Sequence, residues 1–194
     1  MNAYLLSAAA ILGSLLSITG AAVIQAQPDT LDKTYTNAKC GITIKYPSSW
    51  PAEEQKKGPD DEMRRVVMFF NDESSDSIDI TADDMSSLLG TSYEQSLDGI
   101  VKFSTEFIEE TPGASIEESK SMTVNGQPAH RIVYIETTPG SELESKTAET
   151  YFFSGDKQHY YILTLSASTD TYDKEIPVFD SMIQSVSLGD VKNC

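Results

Sequence analysis

Positive charge is the scarcest commodity in this sequence. Fourteen Lys+Arg stand against thirty Asp+Glu, a formal net charge of −16, and the first cation is Lys33. Nucleic-acid binding rests on cation–phosphate contacts that release counterions, so this field excludes that class of partner. An anionic membrane surface is disfavoured for the same reason. Histidine is nearly absent, with only His130 and His159 in the chain. A histidine base needs an oriented partner and a nucleophile within reach, and no G-x-S-x-G or comparable nucleophile signature occurs. Cysteine is limited to Cys40 and Cys194, with no C-x-x-C or Cys/His cluster to support a zinc site. Neither G-x-x-x-x-G-K-[ST] nor G-x-G-x-x-G is present, so nucleotide cofactors are unsupported. No N-x-[ST] glycosylation sequon occurs. On these absences the sequence nominates no catalytic residue, no cofactor-binding residue and no metal ligand, and it reads as that of a non-enzyme.

The charge that is missing from the N-terminus points to a compartment. Residues 4–24 carry none, a small-residue site follows at Ile24-Gln25-Ala26, and the chain turns polar at Gln27-Pro28-Asp29. A hydrophobic segment ending at such a site is the pattern of a cleaved signal peptide, with a mature terminus near Gln27. An apolar stretch of about 20 residues also suffices to span a bilayer, so an uncleaved anchor is the alternative and a buried helix of the folded domain a third. The expected division is 1–26 signal peptide or anchor, 27–39 polar leader and 40–194 folded domain. The expected location is secreted or extracytoplasmic, alternatively anchored at the N-terminus. An even cysteine count in an exported chain favours a disulfide. Cys40 stands just before the first expected strand and Cys194 ends the chain, so a Cys40–Cys194 bridge would tie both ends of the fold together.

The acidic clusters Asp60-Asp61-Glu62, Asp72/Glu73/Asp76 and Asp79/Asp83/Asp84 invite a calcium reading, but the EF-hand pattern fails. They read as a solvated acidic face, with a weak divalent site around residues 71–84 as the alternative.

Periodicity orders the domain. Ile42, Ile44 and Tyr46 alternate with polar residues before Pro47, the pattern of a half-buried strand. Residues 28–39 look extended or loose, and residues 48–65 read as a loop. Trp50, the only tryptophan, is expected at the edge of the core with its indole N–H satisfied near the surface. Residues 66–70 and 77–81 resemble a hairpin. Thr91-Ser92-Tyr93-Glu94 has the form of a capping box, and Tyr93, Leu97, Ile100, Val101, Phe103, Phe107 and Ile108 then recur as one apolar helix face, stopped by Pro112-Gly113. Two hairpins follow. The first turns at Asn125-Gly126, which accepts positive φ at both positions of a type I′ turn, with Pro128 beside it. The second turns at residues 154–157. A last amphipathic helix carries Tyr172, Ile176, Phe179, Met182, Ile183 and Val186 and runs to about residue 185, with Pro177 expected to break its first turn or to begin it. Strands with two separate helices argue for an α+β fold, a mostly antiparallel sheet covered by helices.

The residues 41–50 (GITIKYPSSW), 123–129 (TVNGQPA), Tyr151 with Gly155 and Lys157, 160–164 (YYILT) and 179–185 (FDSMIQS) resemble, in order, the PsbP-like family. That resemblance implies an α/β/α sandwich. PsbP itself is the extrinsic subunit of the photosynthetic oxygen-evolving complex, and relatives occur in organisms without photosynthesis. The chain shows no counterpart of PsbP's long N-terminal docking segment. The resemblance therefore implies an exported, non-catalytic binding or assembly module, without cofactor, acting on a protein partner in the exported compartment that the sequence does not name. The alternatives are a weak divalent-metal binder or carrier using the acidic turn or the histidines, and a membrane-tethered structural component of a cell envelope.

Overall fold

A computed structural model of the protein describes residues 30–54, 65–137, 144–155, 157–192 and 194. The N-terminal apolar segment and the Asp60-Asp61-Glu62 run lie outside these residues. The main sheet has seven strands: β3 (Ala52–Glu53), β4 (Arg65–Phe70), β5 (Ser77–Asp84), β6 (Ala114–Val124), β7 (Gln127–Thr137), β8 (Glu144–Phe153) and β9 (His159–Ser168). Their spatial order is β3-β4-β5-β9-β8-β7-β6, and every neighbouring pair is antiparallel. A second antiparallel sheet joins β1 (Lys33–Asn37), β2 (Ile42–Tyr46) and β10 (Ser187–Leu188) in the order β1-β2-β10. Helix α1 is Leu97–Glu110 and helix α2 is Tyr172–Gln184, and a short 3-10 turn spans Met85–Leu88.

Side chains two apart on a strand share a face, and the two faces of the main sheet carry different loads. On one face Ile78, Ile80, Leu163, Leu165, Ala148 and Phe152 meet Phe179, Met182 and Ile183 of α2, together with Ile42 and Ile44 of the small sheet. On the other, Ile132, Tyr151 and Tyr160 meet Ile100 and Ile108 of α1 and the Met85–Leu88 turn. The result is three layers, α1, the large sheet, then α2 with the small sheet. The α+β sandwich expected from the strand and helix pattern is the architecture observed. The second cluster is much the smaller, and α1 is correspondingly less well covered.

Turn chemistry sets the registers. Asn125 and Gly126 both take positive φ, 49° and 77°, and Val124 pairs with Gln127 across the turn. The 66–70 and 77–81 hairpin forms as read, with a register shift beside Val66. Residues 33–37, within the stretch read as extended or loose, are paired strand β1. The two-residue strands β3 and β10 carry too little sequence pattern to be read in advance.

Three local expectations are corrected. Trp50 is not at the edge of the core. It is wholly buried, and its indole N–H meets no acceptor among the described residues. The capping box at Thr91 does not form. The Thr91 hydroxyl instead donates to the Leu88 carbonyl (2.7 Å) and accepts from the Tyr93 N–H. Helix α1 starts at Leu97, because Ser96 Oγ accepts the Gly99 N–H at 3.1 Å and Asp98 complements the positive end of the helix. Pro177 neither breaks nor begins α2. The helix already opens at Tyr172, with the Lys174 and Glu175 amides on the Thr171 carbonyl. The buried Tyr172 and Glu175 anchor its first turn while Pro177 faces solvent.

The late start of α1 depends on Gly99. A Cβ at this position would lie 1.9 Å from the Glu94 carbonyl oxygen, because the chain before the helix folds back over its first turn. Gly→Ala in a helix normally gains up to about 1 kcal/mol. Here we expect the sign to reverse, with Gly99→Ala losing about 1–3 kcal/mol through forced displacement of backbone. Urea denaturation measures it, and a variant as stable as the parent would refute the close approach.

Candidate functional site

The thin cover on the α1 side leaves a cavity of about 520 Å³ between that helix and the sheet, within the range that holds a drug-sized molecule. Its roof is Ile100, Phe103, Ser104, Phe107 and Ile108 of α1, with Leu88 at one end. Its floor comes from four adjacent strands, with Thr81 and Asp83 of β5, Tyr160 and Ile162 of β9, Glu149 and Tyr151 of β8, and Tyr134 and Glu136 of β7. Period-2 alternation puts all eight floor residues on one face. The single apolar helix face read from the sequence is therefore not wholly buried. Phe103 is 43% exposed and Phe107 65% exposed, and both sit at the rim.

Glu149 is the unusual residue. It lies on a central strand, and burial pushes its carboxyl above the usual carboxylate range. Hydrogen bonds oppose that push. Tyr151 Oη donates to Oε2 and Tyr134 Oη donates to Oε1, the latter at 3.3 Å. Burial beside this carboxylate in turn raises both phenols, and Ser104 of α1 is a hydrogen-bonding neighbour of Tyr151. Tyr160 Oη donates to Asp83 at 3.3 Å and is likewise pushed up, first by burial. Among the described lining residues there is no lysine, arginine, histidine or cysteine. Such a site can accept hydrogen bonds from a bound molecule, hold a proton on Glu149 and exclude water from an apolar body.

The charge on Glu149 makes a testable pH dependence. Its carboxyl titrates near 4.3 in the unfolded chain and higher in the folded one. The folded state thus binds the proton more tightly. The stability this contributes is fully present below about pH 4.3 and is lost as pH rises through the folded pKa. Asp79, also raised by burial against the pull of Arg65, titrates in the same sense, so the difference between the parent and Glu149→Gln isolates the effect. We expect the parent to lose stability relative to Glu149→Gln between acidic and neutral pH. Urea denaturation across that range decides, and parallel profiles would remove the buried-carboxyl argument.

The residues singled out in the sequence do not converge. His130 on β7 lies 2.8 Å from Ser119 Oγ, and His159, at the start of β9, pairs with Asp84 at 3.7 Å. Strand β8 stands between them. Four acidic residues of the 71–84 region, Asp76, Asp79, Asp83 and Asp84, are engaged in holding the fold, while Asp72 and Glu73 are exposed. Asp76 accepts from the Ser168 amide and the Thr171 hydroxyl. Asp79 pairs with Arg65 at 2.8 Å, and Asp84 caps the 3-10 turn through the Ser86 N–H. Among the described residues no group of three or more His, Cys, Asp or Glu side chains is placed to hold a metal. Sequence reading missed Glu149, Tyr134, Tyr151 and Tyr160 as a group. Two signals were present, a glutamate inside a strand that both layers cover and a helix with more aromatic surface than one sheet face can bury.

Cys40 and Cys194 are joined by a disulfide, with Cα atoms 4.5 Å apart. The Gly189 amide donates to the Gly41 carbonyl at 2.7 Å and the Lys192 amide to the Lys39 carbonyl at 2.9 Å. Gly41, at φ +61°, has Gly189 backbone where a Cβ would stand, so the chain's end lies tightly against the turn before β2.

These features define an antiparallel α+β sandwich with an internal cavity under one helix. The chain belongs to the PsbP-like family, whose description, PsbP-like protein, it matches over residues 20–188. Three solved structures show the same fold. Cyanobacterial PsbP from Synechocystis aligns with TM-score 0.55 at 14% identity, covering 81% of this chain and 92% of that one. The Ran-binding protein Mog1p of Saccharomyces cerevisiae aligns with TM-score 0.55 at 11% identity, covering 81% and 95%. LpqN of Mycobacterium tuberculosis, described as involved in cell envelope biogenesis, aligns with TM-score 0.55 at 11% identity, covering 81% and 90%. Among the curated proteins no sequence matches. Among the described residues no helix is long and apolar enough to cross a membrane.

Proposed function

We propose that this chain is an extracytoplasmic, non-catalytic binding module whose ligand enters the cavity under α1. The observation that carries the reading is the cavity itself. A sheet face with a half-buried glutamate and three phenols is roofed by a helix that leaves two phenylalanines at the solvent boundary. A folded domain gains by closing such a space, and a partly apolar cavity with convergent polar groups is the usual form of a binding site. The fold relatives supply the class. One is described as Ran-binding and another as involved in envelope biogenesis, which favours recognition or assembly over catalysis. The disulfide and the apolar N-terminus support the compartment, because bridges persist where the environment oxidises.

The test is direct. A neutral environment-sensitive dye, N-phenyl-1-naphthylamine, should bind the parent with one equivalent per chain and a blue-shifted emission. Ser104→Trp, which fills the cavity from the roof, should abolish that signal while leaving the circular dichroism spectrum unchanged. Dye binding that persists in Ser104→Trp would place the apolar site elsewhere.

A further inference from the structure

We infer that the cavity under α1 takes an amphipathic amine, an apolar chain or ring system ending in a protonated amino group that lies against Glu149. The inference rests on the binding-module reading above and names the ligand class for that same site. It is argued from charge complementarity inside the cavity. Three carboxyls line the space, Asp83, Glu136 and Glu149, and among the described residues no basic side chain lines it with them. A carboxylate-headed ligand such as a fatty acid would meet only like charge. A neutral apolar ligand would leave the Glu149 carboxyl without compensation beyond its two phenols. An ammonium donates up to three hydrogen bonds and supplies the positive charge that no described lining residue provides.

The remaining geometry suits the same molecule. Phe103 and Phe107 stand at the mouth, 43% and 65% exposed, and aromatic faces attract cations before they are desolvated. The apolar roof of Ile100 and Ile108, facing Ile162 on the floor, would hold the body of the ligand. The net charge of −16 draws cations to the surface and speeds their capture. The same charge would also adsorb any cationic amphiphile non-specifically, so the experiment must separate the two.

Isothermal titration below the critical micelle concentration compares dodecylamine, dodecanol and dodecanoate, which share one chain and differ in head group. We expect dodecylamine to bind with one equivalent and roughly tenfold or more tighter than dodecanol, the difference a charge-assisted contact makes, with dodecanoate weakest. Glu149→Gln should bring the amine down to the alcohol's affinity and leave dodecanol within about twofold of the parent, which also shows that the cavity is intact. Ser104→Trp keeps the net charge and should abolish binding of all three. Amine binding that survives in Ser104→Trp would be surface adsorption and would overturn the inference. Dodecanol or dodecanoate binding as tightly as the amine would overturn the ligand class while leaving the cavity reading standing. Failure of all three ligands would bring down both.

Discussion

Opening the Cys40–Cys194 bridge should destabilise the fold by on the order of 4–5 kcal/mol, the chain-entropy value for a loop of this length. The two cysteines are 154 residues apart, so the bridge restricts almost the whole described domain in its unfolded state. In the folded state little is asked of the bridge. The Gly189–Gly41 and Lys192–Lys39 hydrogen bonds already bring the chain end to the turn, and Tyr161 Oη donates to the Cys40 carbonyl beneath it. A Cys40→Ser/Cys194→Ser chain should therefore keep its spectrum and its ligand binding at 25 °C while its urea midpoint falls by about 1.3–5 M, given a slope of about 1–3 kcal/mol/M. Paired denaturation curves with and without reductant measure this. A midpoint that does not move, or two titratable thiols in unreduced exported protein, would sink it.

The sequence made the fold legible wherever a period was long and a turn specific. Asn125-Gly126 predicts the β6–β7 hairpin because only residues tolerating positive φ can turn there. The Tyr160-Tyr161-Ile162-Leu163 run reads as a strand, and both of its faces are needed. Tyr161 and Leu163 bury toward α2, while Tyr160 and Ile162 face α1. What failed was decided by tertiary contact. Thr91-x-x-Glu94 and Ser96-x-x-Gly99 offer competing starts for α1. The second wins because the chain must fold back over a residue without a side chain. Pro177 looks like a helix boundary until Tyr172 and Glu175 are seen to be buried. The cavity was not legible because it belongs to no segment. It arises where four strands and a helix meet, and Glu149 acquires its character only when Tyr134, fifteen places away in sequence across the β7–β8 pair, comes into register near it.

A division of labour follows between the two faces of the sheet. The α2 face holds the large apolar cluster, the small sheet, Trp50 and the bridged termini. The α1 face holds the small cluster, the cavity and the exposed phenylalanines. A fold that concentrates stability on one face can leave the other underpacked for binding. Substitutions on the α2 face should change stability with little effect on the cavity, and substitutions in the cavity should do the reverse.

The largest side chain on the α2 face tests that division. Trp50 is fully buried where the chain passes from β2 to the edge strand β3, with its amide on the Pro47 carbonyl at 3.0 Å. Trp50→Ala should cost about 3–5 kcal/mol, the usual range for emptying a buried aromatic site, and should leave ligand affinity unchanged under conditions where the chain stays folded. Trp50→Phe should cost distinctly less, because a phenyl ring refills most of the space that alanine leaves empty. Removing the indole also removes a buried N–H that meets no acceptor among the described residues, and such an unsatisfied donor costs about 1–3 kcal/mol. That relief is common to both variants, so the difference between them reads the packing of the ring. Because Trp50 is the only tryptophan, its variants are followed by far-ultraviolet circular dichroism, while parent unfolding is read from its fluorescence. If Trp50→Phe proves as costly as Trp50→Ala, refilling the site recovers nothing, and packing of the aromatic ring is not what Trp50 contributes.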